Sequence, residues 1–431
     1  MAKKKYTFID LFAGCGGLSE GFLRTGRFNA LAHVEWEKPM VETLRNRLVT
    51  KWNESEENAK KKVILFDIQK TEELINGNWS DESIAQYGEH NSGKVRKSGL
   101  KGVIGNKLVD LIIGGPPCQA YSIHGRATDK DSMNNDYRNY LFESFCRVVD
   151  EFRPNVFVFE NVPGITSKMS SRGGKTLIVD ILKKEMMAAG YTNFIEVVLD
   201  ASKFGVPQNR KRYFVLGTRL GGKRLLHPIS RLKRTYSVAD AFEGLPSVVP
   251  NTWIEGREYQ PFNGEYASLM RDEQFWRCGQ SLTEHISYHM PMKHRPATLE
   301  RFSLLQAGES LRDLFARYSG DALRELQSRH VLPNKIFIKR NYRLPLKSPS
   351  PTVTSHCLDE FVHPMENRAL TVRECARLQS FPDSYDFAGG PYIVPHINRD
   401  VQDKYEQIGD AVPPLLAYAW GKTIFKMLME D

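Results

Sequence analysis

Residues 8–22, FIDLFAGCGGLSEGF, decide the fold predicted for this chain. An apolar run leads into a glycine-rich turn, and the turn leads into the start of a helix. This arrangement of strand, turn and helix places a ligand at the carboxyl edge of an open sheet. The dinucleotide fingerprint G-x-G-x-x-G would require glycine at position 19, where the chain has Ser19. The segment therefore predicts a ligand site without a strong phosphate cradle.

Six more apolar runs follow along the first half of the chain, separated by segments of helix length. The runs are almost continuously apolar, which is typical of strands buried on both faces. Their alternation with helices predicts an α/β fold with a mostly parallel sheet. These runs are FNALAHVE, KVILFD, LVDLIIGG, NVFVFEN, FIEVVLD and RYFVLGT.

Acidic residues stand at two of these strand ends. Glu35, in HVEWE, follows the glycine-rich turn by about 20 residues, where a carboxylate can accept hydrogen bonds from both ribose hydroxyls. Trp36 beside it can pack on a purine, and Asp67 can accept a hydrogen bond from an adenine amino group. Together with the glycine-rich turn after the first strand, these two strand ends predict a nucleoside site. The alternative is that the glycine-rich turns only connect strands.

The pattern changes near residue 221, after which proline, glycine, arginine and aromatic residues alternate in short irregular segments. We expect a second domain over residues 221–399, while residues 400–431 return to the first domain, 1–220. A basic, polar insertion occupies residues 70–107, between two strands. In LTVRECARLQSFP, Thr371 followed by Glu374 predicts a helix that begins with a capping box.

The charge of the chain favours a polyanionic partner. The net charge is +9, and residues 221–350 carry 20 Lys and Arg against 13 Asp and Glu. Nucleic-acid phosphates attract such a surface, although many soluble proteins are equally basic without binding DNA. No run of about 18 apolar residues predicts a membrane span, and the beginning of the chain does not resemble a signal peptide. We therefore expect a cytoplasmic protein without a membrane partner.

The cysteines and histidines show no metal-binding spacing. The six cysteines form no CxxC pair and are expected to be free thiols in a reducing compartment. The histidines of HISYHMPMKH match no zinc pattern, so we assign them to the structure of the second domain. No metal is expected.

One cysteine has an unusual setting, in GGPPCQAYS at residues 114–122. Two prolines fix the backbone before Cys118, and two glycines allow a sharp turn or a close approach to another molecule. The alternative is a buried cysteine that acts as a small apolar residue.

Six motifs in this order and approximate spacing resemble the DNA (cytosine-5)-methyltransferase family, of the bacterial restriction-modification type. The likeness covers residues 7 to about 417 without the variable segment 221–345. It implies a Rossmann-like domain that uses S-adenosylmethionine, with a smaller, irregular target-recognition domain at 221–399. The motifs are DLFAGCGGLSEGF, GGPPCQAYS, FENV, QNRKRYF, LTVRECARLQSFPD and IGDAVPP.

The resemblance implies a reaction in which a thiolate adds to C6 of cytosine, because C5 alone is a poor nucleophile. Cys118 is the implied nucleophile, and a protonated Glu160 would donate to N3 of the ring. Arg212 would bind O2, and Arg210 would support the region of the thiol and the carboxyl group. Glu160 is otherwise an exposed acid at a strand end, and the two arginines are otherwise phosphate contacts.

The family pattern also implies which residues bind the cofactor. The IGDAVPP motif usually has asparagine where this chain has Asp410, and a carboxylate cannot donate as an amide does. Backbone groups of Ala411 and Val412 can still serve there. The implied cofactor residues are Asp10, Phe12, Ala13, Gly14, Gly16, Gly17, Leu18, Glu35, Trp36, Asp67, Ile68, Pro116, Leu141, Asp410, Ala411 and Val412.

The implied substrate is double-stranded DNA, in which the target cytosine must leave the base stack. The polar segment 119–139, with Gly125 as a hinge, is expected to close over the DNA; the alternative is a surface loop. The family pattern further implies a monomer paired with a restriction endonuclease of the same target. Two alternatives stay open: a tRNA methyltransferase, whose characteristic Cys-Phe-Thr segment is absent here, and a catalytically inactive DNA-binding relative.

Overall fold

The structure is a computed structural model that describes residues 4–117, 141–167, 176–222, 225–230, 232–276, 285–335, 340–393 and 402–429. The chain divides into two compact units. The first comprises Met1–Phe204, Lys211–Arg231 and Val412–Asp431, and the second comprises Gly205–Arg210 and Leu232–Ala411. The second unit therefore includes residues 400–411 and Gly205–Arg210, which the sequence analysis assigns to the first domain.

A seven-stranded sheet forms the centre of the first unit, in the order β3-β2-β1-β4-β5-β7-β6. Neighbouring strands are parallel from β3 to β5, and β7 runs antiparallel to both of its neighbours. All seven predicted strands are present, and the predicted α/β fold is confirmed. The strands are β1 Tyr6–Leu11, β2 Phe28–Glu35, β3 Val63–Leu65, β4 Leu111–Gly114, β5 Val156–Asn161, β6 Asn193–Asp200 and β7 Lys211–Thr218.

Helices cover this sheet and bury its apolar side chains. Helices α1 and α18 pack closely at Gly21, which has no side chain. A Cβ atom added there would lie 2.4 Å from the Cβ atom of Ala417. None of the helices in the described ranges is long and apolar enough to cross a membrane. The helices of this unit are α1 Gly17–Arg24, α2 Lys38–Trp52, α3 Glu56–Lys62, α4 Thr71–Asn76, α5 Asp81–Tyr87, α6 Gly93–Ile104, α7 Leu141–Phe152, α8 Ile178–Ala188 and α18 Pro414–Met429.

The insertion at residues 70–107 is folded into the first unit. It contains α4, α5 and α6, and it contributes Leu74, Ile75, Trp79, Val95 and Leu100 to the main hydrophobic core. Most charged residues of the insertion are exposed, whereas these five apolar residues are buried. The insertion is thus an integral layer of the first unit.

The second unit is built from short helices and two pairs of very short strands. The predicted capping box is present: the Thr371 side chain accepts from the N–H of Glu374, and the Glu374 side chain accepts from the N–H of Thr371. The helices are α9 Val238–Phe242, α10 Glu265–Arg271, α11 Glu273–Trp276, α12 Pro296–Leu304, α13 Leu311–Ala316, α14 Gly320–Ser328, α15 Cys357–Glu360, α16 Val372–Leu378 and α17 Lys404–Asp410. The strands are β8 Arg257–Glu258, β9 His285–Ile286, β10 Tyr342–Arg343 and β11 Phe361–Val362.

Candidate active site

Four adjacent parallel strands, β3, β2, β1 and β4, end at the same edge of the sheet. In open α/β sheets this carboxyl edge is where ligands bind. The loops that follow the four strands carry most of the predicted site residues, so the topology brings them to one edge. These residues are 12–14 and 16–18 after β1, 35 and 36 at β2, 67 and 68 after β3, and 116 after β4.

The glycine-rich loop after β1 has an unusual backbone. Gly14 and Gly16 have φ values of 57° and 98°, which residues with a side chain rarely adopt. Gly16 is the N-cap residue of α1. Phe12 also has a positive φ of 59°, a conformation that costs about 1–3 kcal/mol for a residue with a side chain. The N–H of Ala13 donates to the carbonyl of Val34 at 3.0 Å and fastens the loop to β2. Such strain is typical of a binding loop held in one shape.

Glu35 binds the same loop through its side chain. One carboxylate oxygen accepts from the N–H of Gly14 at 2.8 Å, and the other accepts from Trp36 at 2.8 Å and Glu37 at 2.9 Å. Burial raises the pKa of Glu35 above its ordinary value, and these backbone donors oppose the rise. A carboxylate has about four acceptor positions. Three are occupied by backbone donors, and the predicted contacts with the ribose hydroxyls stay predictions.

Asp10 lies beneath the loop, fully buried in β1. Its Oδ2 accepts from the Ser19 hydroxyl at 2.5 Å, and the same hydroxyl is 2.9 Å from Nδ1 of His33. Burial raises the pKa of Asp10 to about 7 and lowers that of His33 to about 3. The Asp10 side chain has no exposed surface to offer a ligand. Its contact with Ser19 instead supports the first turn of α1.

The remaining predicted cofactor residues fit a nucleoside. Trp36 is 44% exposed, so a flat base can pack on it. The partly buried Asp67 accepts from the N–H of Gln69 at 2.9 Å, and Ile68 and Leu141 are buried beside the sheet. Two carboxylates at neighbouring strand ends suit the hydroxyl and amino donors of adenosine. These residues therefore match the chemistry of S-adenosylmethionine, although each individual contact stays a prediction.

Glu160, near the end of β5, lies against the loop that precedes Cys118. A Cβ atom added at Gly115 would lie 2.4 Å from Oε2 of Glu160, so a larger residue would require this carboxyl group or the loop to move. Asn161 next to it donates to the carbonyl of Pro116 at 3.2 Å. Cys118 and residues 119–139 lie outside the described residues. Glu160 and Asn161 thus hold the backbone that leads to the predicted nucleophile.

The two predicted arginines have different partners. Nε of Arg212, on β7, lies 2.9 Å from Oε1 of Glu160. Arg210 is fully buried in the second unit, where its guanidinium donates to the carbonyls of Val353 at 2.6 Å and of Gly409 and Ala411 at 2.9 Å. These contacts indicate a structural role for Arg210. Its predicted support of the thiol and the carboxyl group stays a prediction.

The IGDAVPP motif lies at the end of α17. Asp410 is exposed, whereas Ala411 and Val412 are buried. The carbonyl of Ala411 accepts from Gln379 at 3.2 Å as well as from Arg210. The backbone of this motif is therefore held from within the second unit, and its contact with the cofactor stays a prediction.

Sequence reasoning missed two side chains that support these motifs. Asn161 follows Glu160 in FENV, and Gln208 precedes Arg210 in QNRKRYF. Gln208 is fully buried, donates to the carbonyl of Leu378 at 3.0 Å and accepts from the N–H of Val353 at 2.8 Å. The sequence offered one signal for them, because both lie inside motifs that carry the family resemblance. Their roles depend on backbone groups that the sequence does not bring together.

The predicted structural histidines have ordinary hydrogen-bond partners. His289 is buried, with Nδ1 2.9 Å from the Thr371 hydroxyl and Nε2 2.9 Å from the carbonyl of Pro246. In the described part of the chain, no group of three or more His, Cys, Asp or Glu side chains is placed to hold a metal ion.

The sheet, its single antiparallel strand and the strand-edge site define the class of S-adenosylmethionine-dependent methyltransferases. Within that class the chain belongs to the C-5 cytosine-specific DNA methylase family, whose model matches residues 6–78 and 81–426. The resemblance seen in the sequence is confirmed. The chain is a DNA (cytosine-5)-methyltransferase.

Several known proteins are similar over nearly the whole chain. The Type II methyltransferase M.DdeI of Desulfomicrobium norvegicum is 32% identical over 428 residues, covering 96% of this chain and 88% of that protein. M.Bpa9945I of Bacillus paralicheniformis is 32% identical over 460 residues, covering 95% and 96%. A solved DNA modification methyltransferase encoded within an Escherichia coli prophage has a TM-score of 0.68 and 25% identity, covering 99% of this chain and all of that one.

Proposed function

We propose that this enzyme methylates C5 of a specific cytosine in double-stranded DNA, through a covalent bond between Cys118 and C6 of a flipped base. The observation that carries this proposal is the position of Glu160 against Gly115, with Asn161 bound to the carbonyl of Pro116. Gly115 and Pro116, which Glu160 and Asn161 approach, precede the predicted nucleophile Cys118 by three and two residues. The Glu160 carboxyl group is thus placed beside the loop that leads to Cys118.

The cofactor is S-adenosylmethionine, which supplies an electrophilic methyl group on a sulfonium when it is bound. Glu35 would accept from a ribose hydroxyl, Asp67 from the adenine amino group, and Trp36 would pack on the purine. The loop of residues 12–18 would lie against the methionine part. Because Glu35 already fixes Gly14, this loop is preorganised before the cofactor arrives.

The chemistry of the proposal begins with the Cys118 thiolate. Its sulfur forms a bond to C6, and the electron pair of the C5–C6 double bond moves toward C5 and N3. Glu160 donates a proton or hydrogen bond at N3, and Arg212 stabilises the charge at O2. C5 is then nucleophilic toward the methyl group. Loss of the C5 proton to a base, release of the thiolate and return of the N3 proton to Glu160 restore the aromatic ring.

The ion pair between Arg212 and Glu160 opposes protonation of the carboxyl group. A neighbouring guanidinium favours the ionised carboxylate, whereas donation to N3 requires a protonated one. We propose that Arg212 turns from Oε1 of Glu160 to O2 of the cytosine as the base enters. The shift removes the guanidinium from Glu160 at the moment when the carboxyl group must hold a proton.

The DNA target and the biological setting belong to the same proposal. The segment 119–139 would cover the gap left by the extruded base, and the second unit would read the target through its irregular segments. The Type II names of the relatives support a modification enzyme whose target is shared with a restriction endonuclease. We further propose that the enzyme acts as a monomer.

Methyl transfer to DNA and to tRNA, assayed side by side with radiolabelled S-adenosylmethionine, tests this function. We expect incorporation into duplex DNA only, and bisulfite sequencing of DNA from expressing cells should show one protected sequence context. Transfer to tRNA alone would favour the tRNA alternative. Transfer to neither substrate by a folded, cofactor-binding protein would favour an inactive relative.

A further inference from the structure

The edge strand β3 is completed by a single side chain from the insertion at 70–107. Within the described residues, β3 has β2 on one side and no strand on the other. Unpaired backbone groups at such an edge need partners. The Asn91 amide supplies both an acceptor and a donor for Leu65. Its Oδ1 accepts from the Leu65 N–H at 3.0 Å, and its Nδ2 donates to the Leu65 carbonyl at 2.9 Å.

The Asn91 side chain is itself fixed in place. It is 3% exposed, and Nδ2 also donates to the carbonyl of Tyr87 at 2.9 Å. Both donors and the acceptor of the amide are therefore satisfied, which determines its orientation. Asn91 acts as one residue of a neighbouring strand, at the last position of β3.

The next residue, Phe66, is held by aromatic side chains of the same insertion. The Trp79 ring stacks on it with centroids 4.3 Å apart and planes 25° apart, and the Tyr87 ring lies at 5.1 Å. On its other side, the Phe66 N–H donates to the carbonyl of Glu35 at 2.9 Å. The insertion thus clamps the backbone immediately before Asp67.

Asp67 follows these two fixed residues and leads into α4. Its carbonyl accepts from the N–H of Lys70 at 3.1 Å, so its exit is held as well as its entry. Burial, together with the nearby carboxylates of Asp67 and Glu82, raises the pKa of Tyr87 to about 12, so its hydroxyl stays neutral. The insertion therefore holds the backbone on both sides of Asp67, from which its carboxylate extends.

We infer that Asn91 is a positioning residue for cofactor binding, which fixes the end of β3 so that Asp67 can recognise the adenine amino group. The inference rests on the proposed function, in which Asp67 accepts that hydrogen bond. It assigns the insertion a role in selecting the cofactor base. The sequence distance between Asn91 and Leu65, 26 residues, makes this role invisible without the fold.

The test compares binding of S-adenosylhomocysteine with its hypoxanthine analogue, in which a 6-oxo group replaces the 6-amino group. We expect the enzyme to prefer the adenine ligand by about 10-fold or more, the range for a hydrogen bond to a charged group. Asp67→Ala should remove this preference. Asn91→Ala should remove most of the preference for adenine, while its affinity for the hypoxanthine ligand stays within about twofold of wild type. The double variant Asp67→Ala with Asn91→Ala should show the same lack of preference as Asp67→Ala alone.

Asn76→Ala is the matched control, since Asn76 is an exposed asparagine of the same insertion that pairs with Glu72. It should retain the full preference. If Asn91→Ala does not fold, Asn91→Leu keeps most of the side-chain volume and removes both hydrogen bonds to Leu65, and the same loss of preference is expected. Circular dichroism and melting curves establish that each variant is folded.

The outcomes separate the inference from the proposed function. If Asp67→Ala keeps the preference, the proposed adenine contact is wrong and the inference falls with it. If Asp67→Ala loses the preference and the Asn91 variants keep it, the contact stands and Asn91 has no positioning role. Equal weakening of both ligands by the Asn91 variants would indicate general destabilisation and would also overturn the inference.

Discussion

At the scale of single residues, Glu35 is bound to three backbone N–H groups before any cofactor arrives. The carboxylate therefore has two tasks, to hold Gly14 and to accept from the ribose. Glu160 is similar, because it contacts both Gly115 and Arg212. In both cases the chemistry-bearing carboxylate also shapes the loop around it, so substitutions act on geometry and on chemistry together.

Replacing Glu35 by alanine should weaken binding of S-adenosylmethionine by about 1–3 kcal/mol, the scale for hydrogen bonds to a charged group. The loss combines the ribose contact with a looser glycine loop. Calorimetry without DNA measures it. Glu42→Ala, which removes an exposed carboxylate of α2, is the control and should bind normally. An unchanged dissociation constant for Glu35→Ala would exclude Glu35 from the site.

Replacing Gly115 by alanine should lower kcat by about 100-fold, because a small displacement of reacting groups has effects of this size. The added methyl group would lie 2.4 Å from Oε2 of Glu160, so either the carboxyl group or the loop must move. The dissociation constant of S-adenosylmethionine should change little. Gly221→Ala, where an added Cβ atom meets nothing within 4 Å, is the control. Full activity of Gly115→Ala would show that the position of Glu160 is not critical.

At the scale of elements, α16 organises the second unit through buried arginines. Arg368 pairs with Glu374, and Arg377 donates to both oxygens of Asp383 at 2.9 and 2.7 Å. Arg377 also donates to the carbonyls of residues 241 and 243, so one guanidinium joins α9 to α16. Polar contacts of this kind replace part of the extended apolar core that an irregular chain cannot form.

Replacing Asp383 by asparagine should cost about 3–5 kcal/mol at pH 7, because it leaves Arg377 buried without its counter-charge. Burial alone would raise the pKa of Asp383, but Arg377 outweighs burial and the pKa lies below its usual value. The stabilisation by the ionised pair is therefore present above the ordinary Asp pKa of about 4 and is lost as pH falls through the folded-state value. The difference between variant and wild type should shrink toward pH 3.

Urea unfolding at pH 7 and pH 3 measures this difference. Asp321→Asn breaks an ion pair with Arg324 whose side chains are 97% and 71% exposed, and it should cost about 0–1 kcal/mol at either pH. A loss from Asp383→Asn that is equally large at pH 3 would mean that the charge of Asp383 is not what stabilises the unit.

The elements of the first unit could be predicted because they depend on local patterns. Continuous apolar runs revealed all seven of its strands. In the second unit, the spacing of Thr371 and Glu374 revealed the start of α16. The connection from β6 to β7 is shorter than the crossover that a parallel pair needs, so the antiparallel direction of β7 had a local signal that the prediction of a mostly parallel sheet did not include. In the second unit, α13 begins with a capping box of Ser310 and Asp313 that is visible in the sequence but was not used. Helix α13 was not predicted because the segments around it show no clear helical periodicity.

The candidate site could be predicted only where a motif carried it. The positions of Glu35, Asp67 and Glu160 at strand ends follow from the pattern, because parallel strands end at one edge. The contacts of Arg210 and Asn91 do not, since each joins segments far apart in the chain. Alternate residues in QNRKRYF suggested two arginines that point the same way, yet β7 begins between them at Lys211.

At the scale of the whole molecule, the motifs of the reaction and the variable segment occupy different parts of the chain. All six motifs lie outside residues 221–345. Base recognition depends on which side chains reach the groove edges, and these differ between enzymes that perform the same chemistry. We therefore propose that the first unit is catalytic and that the second unit determines the target.

Exchanging residues 221–345 between this enzyme and a relative of different specificity should transfer the DNA target. The chimaera should methylate the donor's sequence, because the residues that perform the reaction remain those of the host. Bisulfite sequencing of plasmid DNA from expressing cells reads the result. Active chimaeras that keep the host's target would mean that the recognition function lies elsewhere in the chain.

The central claim is that the Cys118 thiolate attacks C6 of the target cytosine, and a suicide substrate tests it most directly. After methyl transfer the C5 hydrogen must leave as a proton, and fluorine cannot leave as a cation. DNA with 5-fluorocytosine at the target should therefore trap the enzyme in a complex that requires S-adenosylmethionine and survives denaturing electrophoresis. Cys118→Ser should abolish the trapped band while DNA binding persists, because a neutral hydroxyl is a much weaker nucleophile. A band of equal intensity from the serine variant, with the adduct on another residue, would contradict the account.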